Sequence, residues 1–224
     1  MRQIDFFDLI VFDWDGTLVD SPDKIVDCLL QAANRMGLES SRAEARSIIG
    51  LKLDLAVSQL FPSLDKRQVE EFILVYQACF RAHPASSKLF EGGIELLHWL
   101  NHSTRLHVAV ATGKGRAGLD RELAEHNLSS FFSYTRCADE AVSKPHPQML
   151  YDILAFTGVA PERTLMIGDT HFDLEMARNA GVKSLGLACG AHEPHMLKGM
   201  GSQAILARLD QVKGWLLSAA IESE

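Results

Sequence analysis

Apolar positions along the chain fall into two patterns. Short unbroken runs end abruptly on polar residues: Leu9–Phe12 stops at Asp13-Trp14-Asp15-Gly16, residues 106–111 at Thr112-Gly113, residues 164–167 at Gly168-Asp169 and, more weakly, residues 184–189 at Gly190. Runs of this length rich in branched side chains predict strands buried on both faces, as in a parallel sheet. Between the later runs apolar residues recur at helical steps: Leu119 and Leu123; Met149, Leu150, Ile153 and Leu154; Leu174, Ala177 and Ala180 before Gly181. Alternating strands and helices predict an α/β domain on a doubly wound, Rossmann-like parallel sheet.

The interval between the first run and the second is far longer than the dozen or so residues a crossover needs, and its periodicity is helical. Ser21 before Pro22 reads as an N-cap with proline at the first helical position, followed by Ile25, Val26, Leu29, Leu30, Ala33 and Met36 until Gly37. Ser41 and Glu44 form a capping box opening a second helix that runs to Gly50. Residues 53–61 predict a third helix stopped by Pro62, and Asp65 starts a fourth with Val69, Phe72, Ile73, Tyr76 and Phe80 on one face, read as the insertion's own core. Residues 22–88 are therefore expected to be a small all-helical insertion after the first strand, with residues 1–21 and 89–224 forming the α/β core domain. Removing the insertion leaves close to the length of about 150 residues usual for one domain.

Composition narrows the function. Hydrophobic residues at 47% and charged residues at 23% describe an ordinary globular protein. With 29 acids against 22 bases, a net charge of -7 and no block of Lys or Arg, the chain lacks the basic footprint of nucleic-acid or anionic-membrane binding. Cys28, Cys79, Cys137 and Cys189 are scattered without metal-ligand spacing and read as structural thiols in a reducing compartment. Asp5 and Asp8 interrupt the apolar N-terminus, so neither a signal peptide nor a membrane span is expected there, and the expected location is cytoplasmic.

In an open α/β sheet, ligands bind beyond the carboxyl ends of the strands. The polar residues placed there are Asp13 and Asp15 after the first strand, Thr112 and Gly113 after the second, and Asp169 with Asp173 four residues on; Lys144, before Pro145, would arrive from a neighbouring loop. Carboxylates brought this close repel by about 4 kcal/mol per pair at an effective dielectric near 20, so they require a cation. All-oxygen ligands favour a hard ion, Mg²⁺ before others, which completes its shell with water and phosphate. Thr112, the Gly113 amide and Lys144 offer donors to phosphoryl oxygens, which makes a small phosphorylated metabolite the natural partner.

The segments Phe12-Asp13-Trp14-Asp15-Gly16-Thr17-Leu18-Val19-Asp20-Ser21, Ala111-Thr112-Gly113, Lys144-Pro145 and Gly168-Asp169-Thr170-His171-Phe172-Asp173 resemble, in order and spacing, the four signature motifs of the haloacid dehalogenase-like superfamily. The resemblance spans essentially the whole chain and is closest to phosphoglycolate-phosphatase-like members with a helical cap between the first two motifs. It implies that Asp13 attacks phosphorus to form an aspartyl-phosphate hydrolysed by water, with Asp15 as general acid and then base. It also implies Mg²⁺ held by Asp13, the Asp15 backbone carbonyl and Asp169, with Asp173 as a further ligand or as an orienting group. Thr112, Gly113 and Lys144 would hold the phosphoryl group, and the cap would close on hinges near Asp20 and Lys88. Phosphoglycolate is the first substrate implied, with nucleotide monophosphates, sugar phosphates and pyrophosphate behind it, in a monomer or homodimer.

Asp15 argues against a haloalkanoate dehalogenase, which lacks an acid there, and against a transporting ATPase. A phosphosugar mutase would place an Arg in the cap turn, where this chain has Gly50-Leu51-Lys52-Leu53 with Lys52 as the nearby cation. A catalytically silent binding or regulatory protein usually loses the nucleophile, which is intact here. Asp173 could open a helix as an acid, and Thr112 could cap the helix after Gly113, without any ligand, but the motif context favours their roles in the site; His107 is expected to be structural within a strand, and His171 to line the entrance. His192-Glu193-Pro194-His195 is expected to be a loop without metal, because its proline forbids the regular helix that would align both rings. The strand-return segment Leu89-Phe90-Glu91-Gly92-Gly93 departs from the relatives' Tyr-Pro-Gly.

Overall fold

The computed structural model describes residues 6–83, 87–103 and 105–219; residues 1–5 of the apolar N-terminus and 84–86 of the expected insertion lie outside this set. Strand β1 (Leu9–Phe12) is wholly buried and central, pairing in parallel with β4 (His107–Thr112) on one side and β6 (Thr164–Gly168) on the other. Beyond β4 lies β5 (Tyr134–Cys137); beyond β6 lie β7 (Lys183–Leu187) and β8 (Ala204–Leu206). The six strands run parallel in the order β5-β4-β1-β6-β7-β8.

The two-residue alternation of a strand sends successive side chains to opposite faces. Leu9, Val11, Ala109 and Met166 pack with Met149 and Ile153 of α7 (Gln148–Thr157) and Met176 of α8 (His171–Asn179). Ile10, Phe12, Val110 and Ile167 pack in a second cluster that includes Leu97 of α5 (Gly93–Asn101), Leu119 of α6 (Arg116–Glu125) and Leu216 of α10 (Val212–Ala219). Helices thus cover both faces, which is why the central strands are apolar at every position. The edge strands β5 and β8 are mostly half-buried and carry Tyr134-Thr135-Arg136 and Ala204-Ile205-Leu206, too polar or too short to stand out. His107 opens β4, an interior strand, and its ring meets Ser133 Oγ at 3.3 Å.

Between β2 (Val19–Asp20) and β3 (Lys88–Leu89), which pair antiparallel with Asp20 opposite Lys88, run the helices α1 (Pro22–Arg35), α2 (Arg42–Ser47), α3 (Leu53–Leu60) and α4 (Lys66–Ala82). They enclose a separate apolar cluster that includes Leu29, Ile48, Val57 and Phe72. The expected capping box of Ser41 and Glu44 forms, and Asp65, the expected start of the fourth helix, forms a second one with Gln68. Two expectations are corrected. Ser21 precedes α1 but makes no side-chain cap; its hydroxyl donates instead to Asp15 Oδ1 at 2.7 Å. Helix α2 stops at Ser47 rather than reaching Gly50, because the following turn docks on the core: Arg46 donates to the Gly190 carbonyl, the His192 ring meets the Ser47 carbonyl, and the Lys52 amide donates to Ser143 Oγ at 2.9 Å.

All four cysteines are free; Cys28, Cys79 and Cys137 are buried and Cys189 half-buried. Among the described residues no helix is long and apolar enough to cross a membrane.

Phe72 is fully buried, its ring centroid 5.4 Å from that of Phe61, whereas Leu74 on the same helix is 65% exposed. Phe72→Ala is expected to cost about 3–5 kcal/mol in urea unfolding, and Leu74→Ala no more than about 0.5 kcal/mol. Equal losses would contradict this packing.

Candidate active site

From β1 the chain runs outward on one side through β4 to β5 and then crosses back to β6 on the other side of β1, so the carboxyl ends of β4, β1 and β6 border the crevice where open sheets bind ligands. Phe12 is in register with Val110 and Ile167, which brings Asp13, Thr112 and Asp169 out at one edge; the Asp13 amide donates to the Ile167 carbonyl at 2.9 Å. Carboxylate oxygens of Asp13, Asp169 and Asp173, all buried, lie within 4.8 Å of one another.

Lys144, from the loop between β5 and α7, has no exposed side-chain surface; its Nζ lies 2.9 Å from Asp13 Oδ1 and 2.6 Å from Asp173 Oδ1. Asp13 Oδ1 also accepts the Trp14 amide at 2.6 Å, while its Oδ2 has no partner among the described residues. Asp169 accepts the Thr17 hydroxyl on one oxygen and the Ala191 amide on the other, both at 2.7 Å. Gly16, at φ +81°, and Gly190 pass so close that a Cβ on either would collide with the Asp169 carboxylate. Asp173 is an acid opening α8: Oδ2 completes a capping box at its start, accepting the Thr170 amide and hydroxyl at 3.0 and 2.7 Å, while Oδ1 faces Lys144.

The Asp15 carboxylate is not one of the three clustered groups. Its Oδ1 accepts Ser21 and its Oδ2 lies 3.0 Å from Lys114 Nζ, which also donates to Glu122 at 3.1 Å; buried Glu122 in turn accepts the Trp14 indole N–H at 2.6 Å. Sequence reasoning missed Lys114, Glu122 and Trp14. Lys114 stands two residues past Thr112 and could have been found by reading that turn further, but Glu122 within a helix looks like any surface acid. Thr112 is buried and its Oγ1 accepts the Lys114 amide at 3.1 Å; it does not cap a helix, because α6 begins at Arg116 after Gly115. Gly113 lies against the Gly50 carbonyl of the insertion, leaving no room for a Cβ.

As expected, no helix carries both His192 and His195: Pro194 is the first residue of the four-residue helix α9 (Pro194–Leu197), so His192 lies outside it and only His195 leaves the expected loop. His192 is buried and pairs with His171, not His195, their rings 4.9 Å apart and nearly parallel. Burial holds His192 down at about 4 and lowers His171 as well.

Burial, with Asp173 adding its charge, raises Asp169 to about 7. Burial likewise raises Asp13 well above the usual carboxylate range, with Asp173 and Asp169 reinforcing it and Lys144 opposing. Burial acts to lower Lys144, but Asp13 and Asp173 outweigh it and keep the ammonium charged; Asp15 and Glu122 do the same for Lys114. Three buried carboxylates against one ammonium form an oxygen donor set short of positive charge, which fits a hard divalent cation.

A family model described as haloacid dehalogenase-like hydrolase matches residues 10–187. Among curated proteins, the "Probable phosphatase IndB" of Dickeya dadantii (strain 3937) is 35% identical over 213 residues, 92% of each chain. The pyrophosphatase PpaX of Anoxybacillus flavithermus is 32% identical over 182 residues, 80% of this chain and 82% of that one. Among solved structures, a hydrolase from Pseudomonas syringae superposes with a TM-score of 0.84 at 22% identity, covering 92% of this chain and 96% of that one, and so shares the fold.

The folded state holds the Asp169 proton more tightly than an unfolded aspartate near 3.8 does. Without a cation, this group's contribution to stability is therefore full below the unfolded value and is lost as pH rises through about 7. A divalent cation needs the deprotonated carboxylates, so the rise in Tm on adding Mg²⁺ is expected to grow between about pH 5 and about pH 8. An equal shift at both ends, measured by thermal unfolding, would contradict this assignment.

Proposed function

Because this chain belongs to the haloacid dehalogenase-like hydrolase family, we propose that its phosphatase chemistry runs through an aspartyl-phosphate on Asp13, assisted by Mg²⁺. One observation carries the reading. Asp13 is pinned through Oδ1 by the Trp14 amide and Lys144, while Oδ2 is left without a partner and Asp13 lines the cavity between core and insertion. A fixed carboxylate with one uncommitted oxygen is what in-line attack on phosphorus requires.

The carboxylates of Asp13, Asp169 and Asp173, with the Asp15 backbone carbonyl, are the groups that would hold Mg²⁺. When bound, the ion neutralises charge on the carboxylates and on phosphoryl oxygens. In the first step an Asp13 oxygen bonds to phosphorus as the ester oxygen departs with a proton from Asp15. In the second, water attacks the same phosphorus, Asp15 takes its proton, and the Asp13 carboxylate is released with inorganic phosphate. Lys144 balances Asp13 and, with Thr112 and the Gly113 amide, donates to the phosphoryl oxygens. Asp15 is held by Ser21 and Lys114, so it exchanges one of these partners for the leaving oxygen when substrate enters.

The helical insertion, residues 22–88, acts as the cap, and its docked turn around Gly50 excludes water. Lys52, the candidate second-phosphate cation of a mutase, is paired with Asp54 at 3.0 Å, which supports hydrolysis over transfer to a second sugar position. The four free cysteines support a reducing, cytoplasmic setting.

Asp13→Asn is expected to lower phosphate release from a phosphate monoester with Mg²⁺ by about a thousandfold or more, with unchanged circular dichroism, and chelator is expected to abolish wild-type release. Retained activity in the Asn variant would overturn the mechanism.

A further inference from the structure

The cavity above Asp13 and Asp15 has a volume of about 300 Å³, and the insertion supplies most of its wall. Ile25 and Leu29 of α1, Ile48 and Leu53 flanking the docked turn, and Tyr76 and Phe80 of α4 all line it. The cations at its border are Lys114, Arg81 and Arg121. Lys114 is already held between two carboxylates, Asp15 and Glu122, while Arg81 and Arg121 are solvent-exposed. A leaving group carrying a carboxylate or a second phosphate would therefore lose water against apolar side chains and find no buried cation free to compensate, a costly exchange. An uncharged apolar group gains by the same burial. Tyr76, half-buried, adds one polar feature: its hydroxyl has no partner among the described residues, and its ring lies 5.9 Å from that of Phe80.

We propose that the site takes phosphate monoesters of uncharged, largely apolar alcohols, ring-bearing ones included, with the leaving group seated against Tyr76 and the aliphatic side chains of α1 and the docked turn. This inference rests on the reading that Asp13 and Asp15 carry out the transfer, and it makes glycolate and phosphate poor leaving groups in this cavity. Tyr76 is then a specificity-determining residue, its hydroxyl reading a single polar group on the alcohol.

The test separates binding from turnover. Phenethylphosphonate and phosphonopropionate are the methylene analogues of benzyl phosphate and phosphoglycolate, and their affinities for the wild-type protein with Mg²⁺ are measured by calorimetry. The aromatic analogue is expected to bind at least about tenfold tighter, the factor that about 1.4 kcal/mol represents. Equal or tighter binding of the carboxylate analogue would overturn the proposal whether or not any ester is hydrolysed. In turnover, kcat/KM for benzyl phosphate is expected to exceed that for phosphoglycolate and for pyrophosphate by a similar factor. Tyr76→Ala is expected to shrink the benzyl-to-glycolate ratio; a ratio that stays fixed while both rates fall would mean that Tyr76 serves only the fold and would overturn its role. If the aromatic analogue binds as expected but no ester releases phosphate, the catalytic reading fails and the pocket assignment stands.

Discussion

Three buried carboxylates facing one buried ammonium set the terms for the rest of this molecule. Asp13, Asp169 and Asp173 gather where the carboxyl ends of β1 and β6 meet, and Lys144 comes between two of them from a separate loop. A carboxylate in low dielectric is costly unless paired, and burial accordingly pushes Asp13 and Asp169 up. The surroundings yield space and hydrogen bonds to this cluster: glycines at positions 16 and 190 clear room for Asp169, Thr17 and the Ala191 amide bond its oxygens, and the first turn of α8 is closed by Asp173 itself. The remaining shortage of positive charge is the physical basis for a divalent cation and for a phosphorylated substrate.

A second, smaller electrostatic unit lies beside the first. Trp14, Glu122 and Lys114 form a chain that ends on Asp15, so the two aspartates of one short segment sit in different surroundings. Asp13 is locked beside Lys144, and Asp15 is held by groups it can exchange. Two carboxylates given different environments can take different roles, which is the basis for proposing Asp13 as the nucleophile and Asp15 as the proton carrier. The insertion completes this division by contributing apolar surface where the core contributes charge, with contact between them concentrated at Gly50, Lys52 and Ser47.

Much of this was legible from residue order. The central strands declared themselves because both their faces are covered, and the polar residues just past them proved to converge, since parallel strands in register deliver their ends to one edge. Strands β5 and β8 stayed hidden because edge strands need not be continuously apolar. Ser21 looked like a cap and turned out to hold Asp15: a local pattern cannot show that a hydroxyl has a stronger partner six residues back in space as well as in sequence. Glu122 was invisible for a related reason, as its partners Trp14 and Lys114 come from other segments.

The central claim is that Asp13 carries the phosphoryl group. Quenching the enzyme during turnover of a phosphate monoester with Mg²⁺ and reducing it with borohydride converts an acyl-phosphate aspartate to homoserine, which mass spectrometry of a digest locates. The account predicts homoserine at position 13 alone, absent without substrate. Homoserine at another aspartate, or none while phosphate is being released, would contradict it.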